Sequence, residues 1–93
     1  MTELEKTARV FKAFCDENRL RILELLAGGE MCACKLQEEL SVGQSTLSHH
    51  MRILCDAEVV SARREGKWTY YALSEEGGRR AIERLRELLH RND

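Results

Sequence analysis

The chain has 93 residues, 33% of them charged, a net charge of −1 and a mean hydropathy of −0.45, which describes one small globular domain over residues 1–93. No apolar run approaches the roughly 20 residues of a membrane span, and the charged start MTELEKTARVFKAF has no signal-peptide apolar block, so a cytoplasmic, non-membrane location is the default. A core this small is marginal alone, and a homodimer is the expected remedy.

Leu4, Ala8, Phe11 and Phe14 recur at helical spacing and predict a first amphipathic helix over residues 3–14. Asp16 is placed to cap a second helix that turns Leu20, Ile22, Leu23 and Leu26 inward and stops at Gly28-Gly29. A short third helix follows from about Cys34 to Leu40, then the turn Ser41-Val42-Gly43, then a fourth helix from about Gln44 to Ala57. Leu47, Met51 and Leu54 face inward there, with His50 as a packed or interfacial neighbour. The period then changes. Val59 to Glu65 and Lys67 to Ser74 read as strands of a hairpin joined at Glu65-Gly66-Lys67, with Trp68, Tyr70 and Tyr71 assigned to its core and cross-strand packing. Ser74 caps a last helix, Glu75 to His90, with Ile82, Leu85 and Leu89 along one side. The fold class is mainly α with a β-hairpin. Proline is absent, so helix ends rest on glycine and polar caps.

A short helix, a tight glycine-containing turn and a helix with a polar outer face make a helix-turn-helix. The major groove of B-DNA admits one helix, whose short donors and acceptors then reach base edges. Gln44 suits bidentate pairing with adenine, and Ser45, Thr46 and Ser48 suit bases or phosphates. His49 and Arg52 suit phosphates, or guanine in the case of Arg52, while Arg63, Arg64 and Lys67 at the hairpin tip would lie against the DNA backbone. The plainer alternative is a solvated helix face, since Ser and Thr sit on any surface. Charge distribution favours the first reading: residues 1–43 hold eight acids and six bases, whereas 44–72 hold four bases, three acids and two histidines.

The segment from Phe11 to Leu73 resembles the ArsR/SmtB family of metalloregulatory repressors. The resemblance rests on D-x-x-R-L-R-I-L (Asp16 to Leu23), Q-S-T-L-S-H-H-M (Gln44 to Met51) and R-E-G-K-W-T-Y-Y-A-L (Arg64 to Leu73), in that order. It implies a winged helix-turn-helix homodimer with its first and last helices at the interface. It also implies a non-enzymatic repressor of a resistance operon that leaves double-stranded operator DNA when an inducer binds. Two departures stand out. Asp16-Glu17-Asn18 replaces the family's D-P-T, and Glu58 stands where a glycine commonly ends the recognition helix, at a steric cost if the backbone there is left-handed.

Four cysteines lie at 15, 32, 34 and 55. Side chains two apart on a helix diverge by about 200°, whereas two apart in extended backbone they share a face. Cys32 in an extended segment and Cys34 in the first turn of the third helix could therefore converge, near a helix N-terminus that favours thiolates, soft ligands for thiophilic ions. E-M-C-A-C-K (Glu30 to Lys35) resembles the E-L-C-V-C-D box of arsenite and cadmium/lead sensors, which implies Cys32 and Cys34 as inducer ligands. Lys35 replaces the acidic residue of that box; as a cation it would favour thiolates and neutral arsenous acid over a metal cation. The expected inducer is As(III) or Sb(III), with other thiophilic ions such as Cd(II) or Pb(II) as alternatives and no obligatory cofactor. Cys15 or Cys55 is the candidate third donor, both also reading as buried small side chains. The last helix lacks the Asp-x-His and paired His/Glu ligands of zinc-sensing relatives. Oxidant or reactive-sulfur sensing through Cys32 and Cys34 is the rival signal. A thiol enzyme lacks C-x-x-C or a nearby base, and a structural zinc site lacks ligand spacing.

Overall fold

The computed structural model describes residues 1–90. In chain order it contains α1 (Glu3–Ala13), α2 (Glu17–Leu26), β1 (Met31–Cys32), α3 (Ala33–Leu40), α4 (Gln44–Asp56), β2 (Val60–Glu65), β3 (Trp68–Leu73) and α5 (Glu75–Leu89). Each expected helix and strand is present, with boundaries within two residues. Caps explain several of them. Thr2 and Glu5 form a reciprocal capping box at α1, Asp16 accepts from the backbone N–H groups of Asn18 and Arg19 at α2, and Ser74 accepts from Gly77 N–H at α5. His90, expected inside the last helix, is its C-cap.

The hairpin is part of a larger sheet. β1 pairs antiparallel with β3, giving a three-stranded sheet in the order β1-β3-β2, with Met31 opposite Tyr71 and Cys32 opposite Tyr70. Between β2 and β3, Arg63 faces Tyr70 and Glu65 faces Trp68, and Gly66 closes the tip at φ 63°, where glycine carries no Cβ penalty.

The core is formed by Ala13, Ile22, Leu26, Leu36, Leu47, Met51, Leu54, Ala57, Val59 and Val60, so every element except β1, β3 and α5 places a buried apolar residue in or beside it. Two expectations about burial are corrected: Leu20 of α2, read as inward-facing, is exposed, and so is Trp68. Leu4, Ala8 and Phe11 of α1 and Ile82, Leu85 and Leu89 of α5, the apolar sides of the two helices expected at a dimer interface, are exposed as well. Phe11, Phe14, Leu23, Leu73, Ile82 and Leu85 instead line an open apolar groove of about 870 Å³. Trp68, assigned to the hairpin core, is 49% exposed because the strand pair runs past the globule, and Lys67 Nζ sits 5.7 Å from its ring centre. The Cα radius of gyration, 14.2 Å, exceeds the about 12 Å of a compact chain this long. No helix among the described residues is long and apolar enough to cross a membrane.

Glu58 does adopt the left-handed conformation, with φ 63°. Its carbonyl oxygen lies so close to α5 that a Cβ on Gly77 would fall 1.6 Å from it. The strained residue and the bare glycine form one junction between the recognition helix and the last helix.

Candidate nucleic-acid interface and thiol site

α4 sorts its residues cleanly. Leu47, His50, Met51 and Leu54 are buried, whereas Gln44, Ser45, Thr46, Ser48, His49 and Arg52 are exposed. Gln44, Ser45, Ser48, His49 and Arg52 line one shallow recess on that outer face. The N-cap is Gly43, with no side-chain cap, so the first amides of the helix are open to an incoming acceptor. α3 ends at Ser41 in the left-handed region (φ 54°), and Val42 N–H donates to Gln37 O, which closes the turn between the two helices.

A buried clamp sets the pose of α4. Arg19 donates from Nε to Ala13 O at 3.1 Å and from Nη2 to Lys12 O at 3.0 Å, and its Nη1 reaches His50 Nδ1 at 3.1 Å. Arg19 and His50 are both buried, and Asp16 Oδ1 lies 4.0 Å from His50 Nδ1. Since guanidinium only donates, Nδ1 accepts and the imidazole is neutral with its proton on Nε2. Burial pushes the His50 pKa below its ordinary value, against a smaller opposing pull from the Asp16 carboxylate. Arg19 was missed as a positioning residue, although a charged residue among inward-facing helix positions was a signal.

The wing residues differ from one another. Arg64 and Lys67 are exposed and carry no ion pair among the described residues, and the same holds for Arg52. Arg63 is engaged. Its Nε and Nη2 donate to the two oxygens of Glu30 at 2.8 and 2.7 Å, its Nη1 donates to Glu65, and its guanidinium lies 4.6 Å from the Tyr70 ring centre. The paired acids raise the Arg63 pKa and hold Glu30 below the usual carboxylate range.

The two thiols converge. Cys32 ends β1 and is the N-cap of α3, Cys34 lies in the first turn, and their sulfurs are 2.6 Å apart, both free thiols. The Cys34 thiol and the Lys35 backbone N–H both bond to Cys32 Sγ, which lowers the Cys32 pKa; the same contact raises that of Cys34. Of the two, Cys32 is therefore the more acidic thiol. Lys35 acts through its amide and not its ammonium group, because Nζ is drawn to Glu39 at 3.4 Å and Glu38 at 3.6 Å.

No group of three or more His, Cys, Asp or Glu ligands forms among the described residues, so neither Cys15 nor Cys55 is brought to the pair within one chain. Cys15 is exposed in the α1–α2 corner. Cys55 is half-buried, packed against the core, and burial pushes its thiol pKa up. As ligands, Cys32 and Cys34 offer two soft donors and no hard one, which fits a thiophilic ion. An ion about 2.3 Å from each sulfur in tetrahedral array would set them roughly 3.8 Å apart, wider than the 2.6 Å between them here.

Residues 16–62 match the sequence pattern of the bacterial regulatory protein arsR family. The chain is 46% identical to an uncharacterized HTH-type transcriptional regulator of Methanocaldococcus jannaschii over 95% of this chain and 100% of that one. It is 43% identical to an arsenical resistance operon repressor of Staphylococcus aureus, over 75% of this chain and 67% of that protein. It superposes with TM-score 0.75, at 32% identity over 97% of this chain and 88% of the other, on a homodimeric winged helix-turn-helix DNA-binding domain of Mycobacterium bovis. Helix order, three-stranded sheet and sequence agree: the chain is a winged helix-turn-helix transcriptional regulator, not an enzyme, and belongs to the arsR family.

Proposed function

We propose that this protein is a cytoplasmic homodimeric repressor of a metal(loid)-resistance operon, released from its operator when As(III) or Sb(III) is captured by Cys32 and Cys34. The observation that carries the reading is the convergence of those two sulfurs at the N-terminus of α3, the helix whose other end is joined to the recognition helix by the three-residue turn Ser41–Gly43. Arsenous acid condenses with two thiols: each sulfur forms a bond to arsenic, one hydroxide leaves per thiol and departs as water with the thiol proton, and the third hydroxide stays. Cys32, whose thiol is made more acidic by the contacts from Cys34 and the Lys35 amide, is the readier nucleophile. The likeness to an arsenical resistance operon repressor supports the inducer class.

The groove lined by α1 and α5 supports the dimer, which would set two copies of α4 in successive major grooves about 34 Å apart. Gln44, Ser45, Thr46, Ser48, His49 and Arg52 then face base edges and phosphates, with Arg64 and Lys67 along the backbone and Arg63 beside them held by Glu30 and Glu65. A small rotation at either thiol site misaligns both helices, and a coupling of about 1–3 kcal/mol empties the operator measurably.

A second reading is favoured by the Lys35 ion pairs: with that charge neutralised, Cd(II) or Pb(II) meets no local cation at the thiols. The test is a titration of protein bound to the DNA upstream of its own gene with As(III), Sb(III), Cd(II), Pb(II), Zn(II) and peroxide, followed by fluorescence anisotropy. Release by As(III) and Sb(III) at the lowest concentration, lost in Cys32→Ser/Cys34→Ser while DNA affinity persists, supports the first reading. Release of the double Ser variant by arsenite overturns it, and release by peroxide alone replaces it with redox sensing.

A further inference from the structure

We propose that the Glu30–Arg63 ion pair is the coupling element that carries capture at Cys32 and Cys34 into the wing, a proposal that rests on the inducer reading above.

The sheet register builds the connection. Cys32 lies opposite Tyr70, and Tyr70 lies opposite Arg63, so the three side chains stand in one row across β1, β3 and β2 on the same face. Glu30 is two residues before Cys32, and extended backbone returns it to that face. Arg63 spans the row: its guanidinium passes over the Tyr70 ring and grips both oxygens of Glu30. Two parallel charge-assisted bonds fix direction as well as distance, which a single contact would not. The outermost strand of the wing is therefore tied across its neighbour to the residue that precedes the thiol strand.

β1 alone is a weak transmitter, because only two of its residues pair with β3. The Glu30–Arg63 bridge adds a side-chain link from the residue just before that strand to β2, the strand that carries Arg64 and leads to Lys67 at the tip. Parting the sulfurs moves Cys32 against α3. Glu30 moves with β1 and draws Arg63, so the wing shifts relative to α4 and the two DNA contacts of one subunit lose register. Glu65, the other acid on Arg63, lies on the wing itself and carries no movement from the thiols.

The experiment compares wild-type, Glu30→Gln, Arg63→Lys and Glu65→Gln proteins. Operator affinity is read by anisotropy with and without arsenite, and arsenic occupancy of the thiols by near-ultraviolet sulfur-to-arsenic absorption. Glutamine cannot accept two charge-assisted bonds and lysine cannot present the fork. Both should load arsenic at the wild-type ratio, while the fold-loss of DNA affinity on loading falls at least about fivefold, the lower end of usual allosteric coupling. Glu65→Gln should release like the wild type. Release of Glu30→Gln at the wild-type ratio overturns the inference, as does an equal defect in Glu65→Gln. A wild type that loads arsenic and stays on DNA overturns the inducer reading instead, and this inference with it.

Discussion

The guanidinium of Arg19, at the start of α2, donates to Nδ1 of His50, in the middle of α4, across 3.1 Å of buried space. This contact, with the two bonds from Arg19 to carbonyls at the end of α1, pins the recognition helix to the α1–α2 corner. Lysine has one donor head where arginine has a fork, so Arg19→Lys leaves buried acceptors unpaired. It should cost about 2 kcal/mol or more in urea denaturation, and a loss below about 0.5 kcal/mol would show that the clamp contributes little.

The same contact predicts a pH dependence. His50 is held neutral, and its pKa in the fold is depressed by burial. The unfolded chain, with an ordinary His near 6.5, then binds more protons than the folded chain as pH falls. Stability from His50 is full above about pH 6.5 and is lost progressively as pH drops toward the folded value. The carboxylates with lowered pKa values, Glu5, Asp16, Glu30 and Glu76, lose their contributions only further down, in the carboxylate range. His50→Asn keeps an acceptor near Nδ1 and should flatten melting temperature between pH 7 and 5.5. An unchanged slope in that variant would assign the dependence elsewhere.

Gly77 and Glu58 predict opposite signs. A Cβ at Gly77 meets the Glu58 carbonyl at 1.6 Å, so Gly77→Ala must displace backbone and should cost at least about 3 kcal/mol. Glu58→Gly removes a left-handed strain of about 1 kcal/mol and gives up only an exposed 3.6 Å pair to Arg80. Thermal unfolding should place the first variant well below the wild type and the second slightly above it.

Arg63 and Arg64, neighbours in sequence, should behave differently on DNA. Arg64 is unpaired among the described residues, whereas Arg63 must leave Glu30 and Glu65 to meet a phosphate. Arg64→Ala should reduce the salt dependence of binding by about 0.9 per protomer, the value of one phosphate contact, and Arg63→Ala by less. Equal slopes for the two variants would contradict the free-wing account.

Leu85, 42% exposed, and Ile82, 62% exposed, project from α5 beside Phe11 of α1. A charge there is tolerable in a monomer and costly under a partner. Ile82→Glu/Leu85→Glu should sediment as a monomer with its helix content retained; a dimer of undiminished affinity would move the interface elsewhere.

How much was legible depended on how local each feature is. The helices, the Ser41–Gly43 turn and the hairpin follow from apolar period, caps and a glycine tip, all within a few residues. The convergence of Cys32 and Cys34 followed from the difference between extended and helical spacing, and Glu58 announced its own strain. β1 could not be read as a strand, since two residues carry no period and its partners Tyr70 and Tyr71 lie almost forty positions later. The ion pairs of Lys35 were unread for a different reason: its charge was weighed only against the cysteines, while Glu38 and Glu39 one helical turn on also engage it.

By itself the sequence determined a helix-turn-helix with a polar reading face, a following hairpin and a soft-ligand pair just before it, because each is encoded by neighbours in the chain. Only the tertiary structure decided that the thiol strand joins the wing's sheet, that Arg63 is held by Glu30, that His50 is fixed by Arg19, and that the apolar faces of α1 and α5 stay open. Periodicity reports which side of an element is apolar; what meets that side is settled by distant segments, whose approach is written in no local pattern.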